Sequence, residues 1–531
     1  MTRKLIITLF FLGVFLFPQS IRTQDSLKLL ATMMGEDEGD NFIYCASVGD
    51  LNGDGFMDII VGAPGAYGGR GYVKVYFGSS DFDTIPEFKI VDEGNFGLSV
   101  ACAGDVNNDG YDDIIVAAPS AHNPNNGAEW AGKAHIYFGG NPMDTVVDVI
   151  LQDSDYSYFF GLPLASAGDV NGDNYDDVMV AATGGWDPAG RVFIYFGGEE
   201  MDSIFDVYIY GRPDSVEELG RSIAGIGDIN GDGYDDILIG SPYTGYPYNP
   251  GMAEIYLGGN PMDTISDLAF YGDSIEFRHL GRNVASAGDV DGDEIPDLMA
   301  GNTNKTKVIF GKALSDTNLY VTLPVGRTIS SAGDMNQDGY GDIIASDGNY
   351  PQSSYIFYGG TDMDGEADII LKAEDTTLIG FGVNVAGVGD LNGDGYNEIM
   401  ISSYFDDTHI GEVFIFTSAP TSVRESDEKG QLKNFQLRQN YPNPFNSTTI
   451  IPFTVNREQN TENRPLQTTL SIYNILGQEV KTLVVEIKSS GYYQAIWDGK
   501  DQPGSKVSSG VYFYRLKTDS FIEVKKMLLL R

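Results

Sequence analysis

The chain of 531 residues is short of histidine and cysteine, with four and two, and its 33 basic residues face 76 acids. Each scarcity removes a class of function. His122, His135, His279 and His409 are scattered, and none belongs to an H-E-x-x-H pair, which excludes that zinc-hydrolase arrangement. No G-x-S-x-G elbow, Walker loop or dinucleotide fingerprint occurs. A glycosidase-like acid pair could be drawn from so many carboxylates, but most have simpler uses as metal ligands or solvated surface. A formal charge of −43 argues against nucleic acid or anionic membranes as partners. No apolar run reaches the roughly 20 residues of a membrane helix. The run Leu5 to Phe17 follows Arg3 and Lys4 and reads as a secretory signal, with cleavage expected between Ser20 and Gln24. Residues 1–24 are assigned to it, and no cysteine stands there to carry a lipid anchor. Cys45 and Cys102 fall on equivalent first strands of neighbouring repeats, offset by two places. Export would permit a disulfide; the offset favours two buried thiols.

What the chain has in abundance is a nine-residue phrase, present seven times: an acid first, Asn third, Asp fifth, usually Gly sixth, and an acid ninth. Side chains at positions one, three, five and nine and the carbonyl at position seven would supply the ligands. In the first copy these are Asp50, Asn52, Asp54, Phe56 and Asp58; in the second, Asp105, Asn107, Asp109, Tyr111 and Asp113. The third has Asp169, Asn171, Asp173, Tyr175 and Asp177, and the fourth Asp228, Asn230, Asp232, Tyr234 and Asp236. The fifth has Asp289, Asp291, Asp293, Ile295 and Asp297, and the sixth Asp334, Asn336, Asp338, Tyr340 and Asp342. The seventh has Asp390, Asn392, Asp394, Tyr396 and Glu398.

Hard oxygens in this number suit calcium, and up to seven Ca2+ are expected. An EF-hand or dockerin loop would need an acid at position twelve, where this chain has Val61, Val116, Val180, Ile239, Ala300, Ala345 and Ile401. The competing account is Asx turns without metal, since Asp, Asn and Gly favour turns anyway. Carboxylates clustered this closely repel one another without a cation, and seven copies favour the metal. The fifth loop is expected to be the weakest, because Glu294 stands where Gly makes the turn; the third has Asn174 there. Seven divalent cations would contribute +14 and take −43 to −29, so part of the acidity serves solubility.

A small-residue strand precedes each loop, as in Ser99 to Gly104, and a hydrophobic run follows, as in Ile114-Ile115-Val116. A third strand alternates aromatics (Val73 to Gly78), and a fourth follows a Met-Asp turn (Val146 to Leu151, Phe205 to Tyr210). Four strands per repeat and seven repeats predict an all-β fold, a seven-bladed β-propeller over residues 25–418. The last repeat lacks a fourth strand, and Leu27 to Met33 is expected to complete it and close the ring. Phe96-Gly97, Phe160-Gly161 and Phe381-Gly382 lie nine or eight places before their Asp, and Gly62-Ala63-Pro64 follows the first loop. With these residues the chain over roughly 25–418 resembles the FG-GAP repeats of the integrin α-subunit propeller. Asn41-Phe42, Leu280-Gly281 and Val325-Gly326 depart from it. The resemblance implies calcium between the first two strands of each blade and ligands on the opposite face. Loops after the second strands carry Tyr67, Trp130, Trp186, Tyr243, Tyr246, Tyr248, Tyr350 and Tyr404. These either form a ligand surface or simply pack Gly/Pro-rich loops.

Residues 419–439 read as a linker, after which the calcium loops cease. Strands are expected at Thr468 to Asn474, Glu479 to Val485, Tyr492 to Trp497, Val511 to Lys517 and Ile522 to Leu530, a small antiparallel β-sandwich. Asn440 to Phe445, Ile472 to Gln478, Gly510-Val511-Tyr512 and Lys526 to Arg531 resemble the C-terminal sorting domain of the type IX (Por) secretion system. For residues 440–531 that implies recognition by this machinery and passage to the cell surface or beyond; an ordinary Ig-like adhesion domain is the alternative. The expected function is an exported, non-catalytic, calcium-binding propeller with an extracellular protein or glycan ligand. A structural spacer and a polysaccharide-active enzyme are the other readings.

Overall fold

A computed structural model describes residues 21–22, 27–80, 82–122, 131–153, 159–184, 188–212, 216–245, 248–273, 275–313, 320–347, 353–373, 378–405, 409–418, 435–437, 449–455, 468–475, 477–484, 491–517 and 522–530. Most of the signal segment, most of the linker, the Asn440 to Phe445 motif, Trp130, Trp186, Tyr246, Tyr350 and the Tyr67 side chain lie outside the described residues. The chain divides into two compact units, Met1–Ser422 and Val423–Arg531.

In the first unit, seven antiparallel sheets follow one another, each a meander of four neighbouring strands. The second blade is typical: Val100–Gly104, Asp113–Ala118, Lys133–Tyr137 and Val149–Leu151 pair in chain order. Every side chain of Asp113–Ala118 is buried, because both faces of that strand meet a neighbouring blade. The outer strand Val207–Tyr210 of the third blade alternates buried and exposed, as a half-covered strand must. The inner strands touch in sequence around the unit: Tyr44–Ser47, Val100–Gly104, Leu164–Gly168, Ser222–Gly227, Asn283–Gly288, Thr328–Gly333 and Val385–Gly389, which returns to the first. Seven apolar clusters fill the gaps between blades. The closing one joins Met33, Met400, Val413 and Ile415 to Ile59, Val61 and Tyr72.

Leu27–Met34 pairs antiparallel with Glu412–Ser418 as the outer strand of the seventh blade. The strand Ile21–Arg22 adds to the edge of the sixth, against Ile369–Ala373. That addition places the N-terminal segment in two blades, not one. The fourth strands begin later than expected, at Val149 and Val207, because turn acids use the preceding residues. Asp144 Oδ1 accepts from the Val146 amide (2.7 Å), and Asp148 Oδ2 from Phe138 at the end of the third strand (2.8 Å). Asp202 with Asp206 and Asp263 with Asp267 repeat the pair, so part of the acidity does structural work in turns.

The motif glycines sit where backbones touch. A Cβ on Gly62 would stand 2.0 Å from the carbonyl oxygen of Gly97 in the next blade, so neither strand could keep its place. Phe96, Phe160 and Phe381 are buried, and Phe42, Leu280 and Val325 take the equivalent places in the departing repeats. An apolar wedge is what the position requires; the aromatic ring is optional.

The second unit is a sandwich of a three-stranded sheet (Phe435–Leu437, Thr449–Val455, Gly491–Trp497) and a four-stranded one (Glu479–Val484, Thr469–Asn474, Gly510–Lys517, Ile522–Leu529). Ile451, Phe453, Ile472, Trp497, Tyr514 and Met527 are among its core. Two of these strands were not expected. Pro452 lies opposite Gln494 within Thr449–Val455, and a proline there argues against a central strand. The strand Phe435–Leu437 also moves the start of the unit ahead of the expected boundary at residue 440.

Candidate metal centres

Each nine-residue loop joins the inner strand of a blade to the second strand, and the ninth residue opens or immediately precedes that second strand. All seven ninth-position acids are buried. Asp58 Oδ2 accepts from the Leu51 amide (2.9 Å) and Oδ1 from the Gly78 amide beyond the third strand (2.7 Å). Asp113 does the same with Val106 (3.0 Å) and Gly139 (2.7 Å), and Asp177, Asp236, Asp297 and Asp342 repeat it. Glu398, one carbon longer, keeps the equivalent bond from the Leu391 amide (2.8 Å) and also accepts from the Asn392 side chain (2.9 Å). Burial pushes these carboxyls up, hydrogen bonds oppose it, and the acids at positions one and five, or one and three for Asp297, add to it. Asp58, Asp297 and Asp342 reach about 7, Asp113, Asp177 and Glu398 about 8, and Asp236 about 6.

The earlier positions shape the loop. Asp50 Oδ1 accepts from the Asp54 amide (3.0 Å) and Oδ2 from Gly55 (2.8 Å); Asp54 Oδ1 accepts from Phe56 (3.0 Å). The other six loops repeat these bonds. They are the bonds of Asx turns, and by themselves they do not distinguish a metal loop from a bare turn. Two oxygens do point further. Asn171 Oδ1 and Asp293 Oδ2 are buried and accept no hydrogen bond, although Lys312 Nζ stands 3.8 Å from the latter. An orphaned buried oxygen costs about 1–3 kcal/mol, and a cation in the loop would satisfy it. The donor set holds oxygen and no nitrogen or sulfur, which fits Ca2+ and not zinc.

The fifth loop makes its turn without glycine. Glu294 takes φ +68° in the place of glycine, and its amide still reaches Asp289 Oδ2 at 2.8 Å. With Asp291 at position three, oxygens of Asp289, Asp291 and Asp297 converge within 4.8 Å of one another. The turn is kept against a steric preference, and Asp291 adds a carboxylate at position three. Glu294→Gly should therefore stabilise the protein by about 1 kcal/mol, the left-handed penalty of a side chain. Urea unfolding checks this, and a loss of stability would count against it.

Neighbouring loops are tied together, a feature that sequence reasoning missed. Position eight supplies a carboxylate to the opening amide of the preceding loop: Asp112 to Asp50 (2.7 Å), Asp176 to Asp105 (2.8 Å) and Asp235 to Asp169 (3.0 Å). Position seven supplies its side chain. The Tyr111 ring covers Gly53 so closely that a Cβ there would fall 2.7 Å from it, and Tyr234 over Gly172, Tyr340 over Gly292 and Phe56 over Gly393 match. An aromatic at position seven in six of seven copies was the signal available.

Cys45 and Cys102 are both free thiols; Cys45 donates to Asn384 Oδ1 (3.1 Å), and burial pushes both up to about 12. Of the loop aromatics, Tyr248 is 70% exposed, while Tyr243 lies against His279 and Tyr404 against His409. The expected ligand surface is thus partly a packing surface.

Residues 46–76, 96–137 and 219–253 match the FG-GAP repeat. The first unit is a β-propeller that carries FG-GAP repeats. Integrin alpha-5 of Xenopus laevis is 30% identical over 208 residues, covering 38% of this chain and 20% of that protein. Integrin alpha-7 of Rattus norvegicus is 27% identical over 274 residues, covering 48% and 23%. The chain thus spans about a fifth of the length of these integrins. Residues 454–520 match the FlgD Ig-like domain. A solved structure of PorZ, described as an essential bacterial surface component of the type-IX secretion system of Porphyromonas gingivalis, aligns at TM-score 0.40 and 13% identity, over 93% of this chain and 60% of that one. A likeness of that size carries no argument about function.

Proposed function

We propose that the protein is an exported, non-catalytic FG-GAP propeller that binds calcium in its seven loops and an extracellular protein or glycan at the other end of its blades. The supporting observation is the division of labour along the inner strands. Every oxygen-rich loop follows the end of an inner strand, and the loops are bonded to one another, so that end is a frame. The starts of the same strands carry a cavity of about 700 Å³. A rigid scaffold with variable loops and a cleft at one end suits recognition. Protein and glycan arrays probed with and without EDTA test it: a ligand retained only with calcium is expected, and no ligand under any condition would leave a spacer.

Calcium is assigned to Asp50, Asp105, Asp169, Asp228, Asp289, Asp334 and Asp390 and the partners of each loop. Bound there, the ion would neutralise clustered carboxylates and draw positions one to nine together; no chemical step is assigned to it. For the second unit we propose recognition by type IX secretion machinery through residues 440–531, with surface or extracellular delivery. Fused to a periplasmic reporter in a bacterium with that machinery, this segment should export the reporter. Retention in the periplasm would favour the plain Ig-like adhesion reading.

A further inference from the structure

The cavity at the starts of the inner strands has an uneven wall. Its lining takes the same position from several blades, the residue after the motif glycine, whose amide bonds to a second-strand carbonyl: Leu162 to Ala181, Arg221 to Gly240, Arg282 to Gly301 and Arg327 to Ser346. In the second and third blades the position holds Leu98 and Leu162; in the fourth, fifth and sixth it holds Arg221, Arg282 and Arg327. In a chain with 76 acids and 33 basic residues, no acid among the described residues lines this cavity. Glu218 stands 4.0 Å from Arg221 Nε, and its carboxylate also feels the charge of Arg282. Arg282 donates to the Tyr243 hydroxyl (3.4 Å), and no carboxylate among the described residues forms an ion pair with Arg282 or Arg327. All three arginines are partly exposed.

We infer that this cavity binds an acidic peptide segment of a partner protein, with carboxylates on Arg221, Arg282 and Arg327 and an aliphatic side chain against Leu98 and Leu162. The inference rests on reading this end of the propeller as its binding face, and it names the class of ligand. Guanidinium forks pair with carboxylates in a planar, two-bonded geometry. The volume lies in the range of about 300–1,000 Å³ typical of ligand clefts, enough for a short stretch of chain. An acidic saccharide would meet the arginines equally well. The opposite wall of Leu98, Leu162, Pro163 and Ile223 has little to offer a sugar, and among the described residues Tyr44 is the single aromatic of the lining. The strongly negative remainder of the surface repels acidic partners elsewhere and so confines them to this mouth.

The test uses the full chain in calcium and fluorescence anisotropy with a short fluorescein-labelled peptide of alternating Leu and Glu. Saturable binding is expected, weakened by salt, and weaker by about 10-fold or more in the double variant Arg282→Gln with Arg327→Gln. Arg282→Lys should recover part of a loss seen in Arg282→Gln, since charge without the fork remains. An unchanged melting temperature shows that the variants fold. Absence of binding, equal binding of a Leu/Gln peptide, or unchanged affinity in the double variant would each overturn the inference. So would binding of oligogalacturonate in preference to the peptide. A neutral array ligand that binds wild type and double variant alike would overturn it too, while leaving the binding-face reading in place.

Discussion

Chelation with EDTA should lower the melting temperature of the propeller by more than about 10 °C, and calcium should restore it. Each loop occupied at a concentration about 100-fold above its Kd contributes about 2.7 kcal/mol of linkage stabilisation, and the sites act together. The pH dependence carries the same signature. Without metal, the ninth-position carboxyls have folded values of about 6 to 8, above the ordinary 3.8 for Asp and 4.5 for Glu. The folded state then holds those protons more tightly than the unfolded chain does. Their contribution is full below about pH 4 and disappears as pH rises through 6 to 8. Chelated protein should therefore lose stability between pH 5 and pH 8, and the gain from calcium should grow over the same interval. Calorimetric titration with calcium, paired with melting curves at several pH values, reads both effects. If calcium neither binds nor raises the melting temperature, the loops are Asx turns.

Removal of one ninth-position carboxylate should be almost as damaging, and should remain so in EDTA. In Asp113→Ala the amides of Val106 and Gly139 lose their acceptor in a buried place. Two unsatisfied amides at about 1–3 kcal/mol each predict a loss of about 2–6 kcal/mol. The neighbouring Asp112→Ala removes one inter-blade bond, to the Asp50 amide, from a more exposed site and should cost about 1 kcal/mol. Urea unfolding of both variants with and without calcium separates the roles. A carboxylate acting only as a metal ligand would show no loss in EDTA, and that result would refute the dual role assigned to Asp113.

The distinction between those two aspartates shows how far the sequence could be read. Nine-residue spacing exposes Asp113 as a loop member because its periodicity is local and repeats. Asp112 belongs to the same phrase, yet its partner is Asp50, 62 residues earlier in the preceding blade. No pattern within a repeat marks a bond between repeats. At the fifth loop the backbone cost of Glu294 is legible in the sequence, while the convergence of Asp289, Asp291 and Asp297 is visible only in the fold. In the second unit, Pro452 concealed a central strand that tertiary pairing tolerates.

The sequence by itself determined the repeat, the blade count, the candidate ligands and the change of fold near residue 440. All of these follow from short-range order: alternation within strands, turn chemistry within loops, and recurrence along the chain. Tertiary structure alone decided what meets across blades. It placed Ile21–Arg22 on the edge of the sixth blade, linked loop to loop through position eight, and gathered Arg221, Arg282 and Arg327 around one cavity. Those arginines are dozens of residues apart in a strongly acidic chain, where each is unremarked. Closing the ring sets equivalent positions side by side, and that turns three scattered charges into one site.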